Sequence, residues 1–448
     1  MAGLLAGTSE VKITPPVGAP LVGPVQPSTG VHDELFARVL VLSDGKRPCA
    51  IVSLDLVGLD FPLADEIRAA IQRETGITFA LLNCTHTHST PFAVPWSILG
   101  FEWLQKEGRQ WRSELVEKVA SAVGQASAGL REVTLRAGRA PARAGTNRRL
   151  LTDKGTVMKP NPDGPIAPWV DVLRVDGADG TPAAILFSHA AHPVIVHGAS
   201  TLISADYPGY AVTAMRERFG GAVLPMFLQG CGANINGDPL RGGFEAAERA
   251  GRALADAAAQ AATESKPVAA TQIRTSSATI HLPFRDFPST QECQDVLSKA
   301  EANLAQARAK GTAEKNLWYS KDTALCLRDL LRRTQAGERQ SLRFEIHALA
   351  LGNEWCLLAM PHEVFVDYQL WVERASPFRH NMVVAYTNGC ESYIPTDKDF
   401  ALGGYEAMAF PQMGAALRYR HRVALRPGIE RTIKDAVSSL WAGARTGR

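Results

Sequence analysis

No apolar run in this sequence approaches the roughly 20 residues that a membrane-spanning helix needs, so a lipid-like substrate would have to be met by a soluble protein. No block of like charge occurs either. Lysine and arginine number 48 against 45 acidic residues, and a net charge of +3 spread this evenly gives nucleic acid no basic stripe to bind. None of the seven cysteines, Cys49, Cys84, Cys231, Cys293, Cys326, Cys356 and Cys390, stands in a CxxC pair; the odd, scattered set predicts reduced core thiols. Residues Met1 to Ala6 lack the basic start, long apolar run and small-residue cleavage site of a secretion signal, which makes the cytoplasm the expected compartment. Repeats and low-complexity linkers are also absent. What is present, 448 residues of which 46% are hydrophobic, is ample for one large domain spanning 1–448.

The first third alternates strand-like and helical texture. Ala37 to Leu42 and Cys49 to Leu56 are β-branched and apolar between Gly and Asp turn signals. Pro62 opens a helix with Leu63, Ile67, Ala70 and Ile71 on one face, and Gly76 stops it before a strand at Thr78 to Leu82. Val116, Val119, Ala120 and Val123 mark a second amphipathic helix; Phe244, Ala247 and Leu254 mark a third. From about 288 to 341 the texture turns charged and alanine-rich, with Val296, Leu297, Ala300 and Leu304 on one face and a break at Gly311. This predicts a helical hairpin inserted before strands resume at Leu342 to Leu351 and Glu354 to Met360. The fold class is α/β: a layered mixed β-sheet core with flanking helices and an inserted helical hairpin.

Four segments carry chemistry. Thr85-His86-Thr87-His88-Ser89 follows a strand, where open α/β sheets place their ligands, and alternate residues of an extended segment share a side. The two imidazoles can share a metal, or one can bind it while the other handles a proton; an unliganded surface pair is the equal alternative. Ser188-His189-Ala190-Ala191-His192-Pro193-Val194 follows a second apolar strand, and only one of its histidines need be a ligand. A hydrolase zinc site usually adds a carboxylate, and Glu363 in Met360-Pro361-His362-Glu363 fits, although a glutamate at a helix start has the same signature. Phe227 to Pro239 is a strand running into a glycine- and amide-rich turn with free backbone donors; no Gly-Lys-Ser/Thr follows, so it is not a phosphate loop, and Cys231 in it reads as a buried thiol. Arg148 and Arg149 read as a surface salt-bridging pair, with binding of a substrate carboxylate as the less common use.

In order and spacing these pieces resemble the N-terminal catalytic domain of the neutral/alkaline non-lysosomal ceramidases and its shorter bacterial relatives, from about residue 6 to 420. The motifs that carry the resemblance include Ile13-Thr14-Pro15-Pro16-Val17-Gly18, Ser53-Leu54-Asp55, Thr85 to Ser89, Asn147-Arg148-Arg149 and His192-Pro193-Val194. Gly209-Tyr210-Ala211, Gln229 to Asn236, Pro361-His362-Glu363, Ser392-Tyr393-Ile394 and Tyr405-Glu406-Ala407 complete the set. The resemblance implies one Zn2+ per chain held by His86, His192, Glu363 and Tyr393, with His88 beside it in the pocket and Tyr405 contacting the substrate. Two departures stand out. Asn236 replaces the family's serine, which excludes a serine-acyl intermediate, and Asn234 replaces an aspartate. The sequence also ends without the immunoglobulin-like domain that full-length ceramidases carry. The function this implies is a zinc-dependent hydrolase cleaving an N-acyl C–N bond of a small-molecule or lipid-like amide by metal-activated water. In that reading His88 serves as general base or oxyanion donor, and Tyr405 and the amides near Gly232 and Asn236 serve as further donors. An esterase or lactonase on the same metal is the chemical alternative, and a non-catalytic metal-binding protein the alternative of another class.

Overall fold

The computed structural model describes residues 3–412 and 414–446, with side chains through Ala442. Eight long strands build the first sheet: β1 (Leu4–Lys12), β2 (Phe36–Ser43), β3 (Cys49–Leu54), β4 (Phe79–Cys84), β5 (Arg131–Pro141), β6 (Trp169–Gly177), β7 (Pro182–His189) and β8 (Leu224–Gln229). Their spatial order is β8-β7-β6-β5-β1-β2-β3-β4, and the short strand Lys266–Pro267 pairs with β5. Only β3/β4 and β7/β8, at the two ends, pair in parallel. The runs Leu4–Lys12, Arg131–Pro141 and Trp169–Gly177, which the sequence reading passed over, form the middle of this sheet. In Arg131–Pro141 charged residues alternate with apolar ones, so the period is there but the hydrophobicity is diluted.

The sheet coils until its two ends meet. Ser53 Oγ donates to Phe227 O at 2.6 Å, and Asn83 Oδ1 accepts from Gln229 N at 2.8 Å. Residues 385–388 complete the closure: Ala385 N donates to Gln229 O at 3.0 Å on one side, while Asn388 N donates to Leu82 O at 3.0 Å on the other.

A second sheet, β9 (Ile273–Pro283), β10 (Ser341–Leu351), β11 (Trp355–Ala359) and β12 (His380–Val384), packs against the concave face. Alternation separates the layers. Leu40 and Leu42 of β2 join Leu349, Trp355, Leu357 and Met382 in the core between the sheets. Ala37, Val39 and Val41 of β2 face the opposite way, under α1 (Phe61–Thr75) and α2 (Arg109–Ala128). Helices α3 (Asp206–Phe219) and α4 (Phe244–Thr263) cover the outer face of β6 to β8. They pack so closely that a Cβ on Gly251 would lie 2.6 Å from Tyr207 O.

Local signals account for the helix ends. Asp60 Oδ1 accepts from Leu63 N at 3.1 Å to cap α1, and Gly76, at φ 74°, ends it. The inserted hairpin is α5 (Thr290–Ala309), opened by a Ser289/Glu292 capping box, and α6 (Trp318–Gln335). It joins β9 and β10, which pair without a break from Ile273 opposite Leu351 to Pro283 opposite Ser341, so the insertion leaves the sheet register untouched. All seven cysteines are buried and unpaired. Among the described residues no helix is long and apolar enough to cross a membrane.

Candidate metal centre

Beyond Cys84 at the end of β4, the backbone amides of Thr85 and His86 donate to Leu54 O at 2.8 Å and Leu56 O at 2.9 Å. His86 takes φ 70°, so the segment is not extended as the sequence reading assumed. The two rings still meet, with His88 Nε2 3.4 Å from His86 Nε2. A left-handed histidine costs on the order of 1 kcal/mol, and such outliers concentrate at functional sites.

From the other end of the coiled sheet comes His192, which is fully buried and whose ring centroid lies 4.6 Å from that of His86. One ring nitrogen from each of His86, His88 and His192 falls within 4.8 Å of the others. His189 goes elsewhere: its Nδ1 faces Trp169 O at 2.8 Å and its Nε2 accepts from Ala144 N at 3.1 Å, a satisfied core histidine.

Backbone carbonyls set the tautomers. His86 Nδ1 faces Val57 O at 2.5 Å and His192 Nδ1 faces Gly232 O at 2.7 Å; each Nδ1–H is donated there, and Nε2 is left as an acceptor. Gly232 itself has no room for a side chain, since a Cβ would lie 2.6 Å from Gln229 Nε2 and 3.1 Å from Ala191 N. Glu363 then brings a carboxylate to those acceptors, with Oε2 3.0 Å from His192 Nε2 and 3.4 Å from His86 Nε2. Acceptors facing acceptors at these separations call for a cation between them, because two ligands of one tetrahedral zinc lie roughly 3.3 Å apart. The donor set therefore fits a metal of the borderline class.

Electrostatics agree. Burial, then the positive field of Arg148 and His86, pushes His192 down to about 4, and burial with the neighbouring imidazoles holds His88 well below its ordinary value. Burial would raise Glu363, but the His86 and His192 imidazoles outweigh it and hold the carboxyl well below the usual range. A neutral His88 and His192 beside an ionised Glu363 are protonation states that metal binding requires.

Glu363 and Tyr393 lie side by side on two short parallel strands, Glu363–Val364 and Tyr393–Ile394. The Tyr419 hydroxyl donates to Glu363 Oε1. Tyr393 Oη accepts from Arg148 Nη2 at 2.9 Å, while Arg148 also donates to Asn236 Oδ1 at 3.0 Å and Glu406 Oε1 at 2.9 Å. Arg149 shares the same carboxylate, donating to Glu406 Oε2 at 2.5 Å. This corrects the surface reading of the arginine pair: both are buried, they share Glu406, 257 residues downstream of Arg149, and Arg149 pairs with Asp399 as well, at 3.3 Å. Asn234 also has a structural task, since its Oδ1 accepts from Val366 N at 2.9 Å and caps α7 (Val366–Ala375).

A cavity of about 480 Å3 opens above the centre. Its lining combines polar residues, His88, Asn236, Glu363, Tyr393 and Tyr405, with apolar ones, Val22, Phe92, Trp96 and Leu240. The inserted hairpin forms part of the rim through Trp318, Tyr319 and Asp322.

The same architecture exists in solved structures. A neutral ceramidase from Pseudomonas aeruginosa superposes with a TM-score of 0.71 at 18% identity, covering 99% of this chain and 75% of that one. The fold is that of the neutral ceramidases. A ceramidase complexed with C2 gives a TM-score of 0.73 at 19% identity, again over 99% of this chain and 76% of the other. No family model and no curated protein matches the sequence. Seven of the segments that carried the resemblance each supply a residue to the cavity lining, through His88, Arg148, Val194, Asn236, Glu363, Tyr393 and Tyr405; those at Ile13–Gly18, Ser53–Asp55 and Gly209–Ala211 do not. Three cavity residues had no sequence signal. Trp96 and Tyr419 stand in no motif, and His197, whose ring stacks on His88 at 5.3 Å, is separated from His192 by an unremarked apolar turn.

Proposed function

We propose that this protein is a hydrolase that cleaves the C–N bond of an N-acyl amide, with one zinc ion per chain held by His86, His192, Glu363 and Tyr393. The observation that carries the reading is the convergence of three imidazole nitrogens within 4.8 Å, beside the Glu363 carboxylate, at the floor of a partly apolar cavity. The similar structures bear the name ceramidase, which together with the apolar lining residues supports a lipid-like amide as the substrate class.

Zinc bound there supplies a water of lowered pKa and a polarised scissile carbonyl. His88, held neutral at the cavity edge, would accept a proton from the attacking water and return it to the departing nitrogen. Water's oxygen ends on the acyl carbon, the C–N bond breaks, and the amine leaves protonated. Asn236 has no hydroxyl with which to attack. Its Oδ1 is taken by Arg148, so its Nδ2 is free to donate to the carbonyl oxygen as charge develops there, with the Tyr405 hydroxyl as a second donor.

Elemental analysis tests the assignment on wild type, His86→Ala and Glu363→Ala, with circular dichroism as the folding check. About one zinc per wild-type chain, lost in both folded variants, together with metal-dependent hydrolysis of an amide in preference to its matched ester, is the expected result. Full retention of metal in the variants overturns the ligand set. A protein that purifies without metal and shows no metal-dependent thermal shift is a non-catalytic member of the fold.

A further inference from the structure

The charges around the cavity are almost all cancelled. Arg148 is paired with Glu406 at 2.9 Å, Arg418 with Asp322 at 2.5 Å, and Glu363 faces the imidazoles. Among the described residues lining the cavity, Arg241 is the cation with no acidic partner. Arg241 is exposed where it lines the cavity, so its guanidinium is open to an incoming anion, and its planar fork suits a carboxylate.

Its position is built. Arg241 holds φ 59°, a left-handed conformation that disfavours a side chain, and its amide donates to Val194 O at 3.1 Å, which ties it to the His192-Pro193-Val194 segment. The side chain runs across Gly198, where a Cβ would lie 3.9 Å from Nε. The neighbouring His197 ring stacks on His88 at 5.3 Å and 23°. His88, His197 and Arg241 thus form a row leading from the centre to the rim. The proton-returning role proposed for His88 puts this row on the amine side of the scissile bond, so that a charge on the departing amine would face Arg241.

We propose that Arg241 is a specificity-determining residue that binds a carboxylate on the leaving amine, so that the substrate class is an N-acyl amino acid. This rests on the amide-hydrolase reading of the same site.

The test is calorimetric binding of N-decylsulfonylglycine, whose sulfonamide resists hydrolysis, and of its uncharged glycinamide to the purified metal-bearing protein. Wild type is expected to prefer the acid by about two- to fivefold, as a solvent-exposed Arg–carboxylate pair gives. Arg241→Gln should bring the ratio near one, with Arg241→Lys in between. A wild-type ratio near one, a preference that survives Arg241→Gln, or no binding of either probe overturns the proposal. Turnover of N-decanoylglycine and N-decanoylglycinamide separates the two readings. Equal hydrolysis of both sinks only the role of Arg241; hydrolysis of neither, with the binding preference intact, sinks the amide-hydrolase reading and leaves the anion site standing.

Discussion

Arg148 donates to the Tyr393 hydroxyl over 2.9 Å, which makes an arginine from the strand Gly145–Thr152 the support of a tyrosine 245 residues away. The geometry depends on Glu406, the shared counter-charge of Arg148 and Arg149. Glu406→Gln leaves the buried Arg148 without a carboxylate and Arg149 with Asp399 alone, and is expected to cost about 3 kcal/mol. Urea denaturation measures it, and an unchanged midpoint contradicts the network.

The Tyr419 hydroxyl, donating to Glu363 Oε1, fixes the carboxylate's orientation. Tyr419→Phe is expected to weaken metal binding by about 10- to 100-fold with the fold retained, as loss of an outer hydrogen bond to a ligand does. Competition against a chromophoric chelator reads this directly, and an unaltered affinity would show that Tyr419 has no part in holding Glu363.

His189 and His192 offer a paired comparison. His189→Leu leaves Ala144 N and Trp169 O without partners and should lower stability by about 1–3 kcal/mol while metal content stays at the wild-type level. His192→Leu should abolish metal binding. Equal metal loss in both variants would place the centre elsewhere.

Asp60 gives a pH dependence. Burial raises its carboxyl to about 6, outweighing the α1 cap at Leu63 N, with Glu391 adding to the rise. The native state therefore holds this proton more tightly than the unfolded chain, so stability is full at low pH, declines as pH rises from about 4 to 6, and is flat above. The contribution lost is on the order of 2–3 kcal/mol. Asp60→Asn keeps the cap and should remove that slope; thermal melts of both proteins from pH 4 to 7 decide it, and parallel curves refute it.

Asp322 anchors the hairpin, accepting from Ser97 Oγ at 2.9 Å and Leu99 N at 3.1 Å and pairing with Arg418 at 2.5 Å. Asp322→Ala should loosen the rim, seen as faster amide exchange across Trp318–Gln335. Unaltered protection there would mean that apolar packing alone holds the hairpin.

The sequence by itself determined the materials of this protein. Apolar periodicity and turn residues mark the strands that end at His86 and His192, Pro62 and Gly76 bound α1, and the texture change near 288 marks the hairpin, because propensity, capping and alternation act over a few residues. The side-chain types able to hold a metal are local too, and their order along the chain was legible. Tertiary structure alone decided which of them meet. His86 and His192 follow strands near opposite ends of a sheet that must coil and be closed by residues 385–388 before their rings approach to 4.6 Å. Tertiary contacts likewise turn His189 into the core, draw Arg148 and Arg149 inward onto Glu406, and bring Tyr419 to Glu363. Those outcomes depend on sheet curvature and on contacts across hundreds of residues, and no window of sequence contains them.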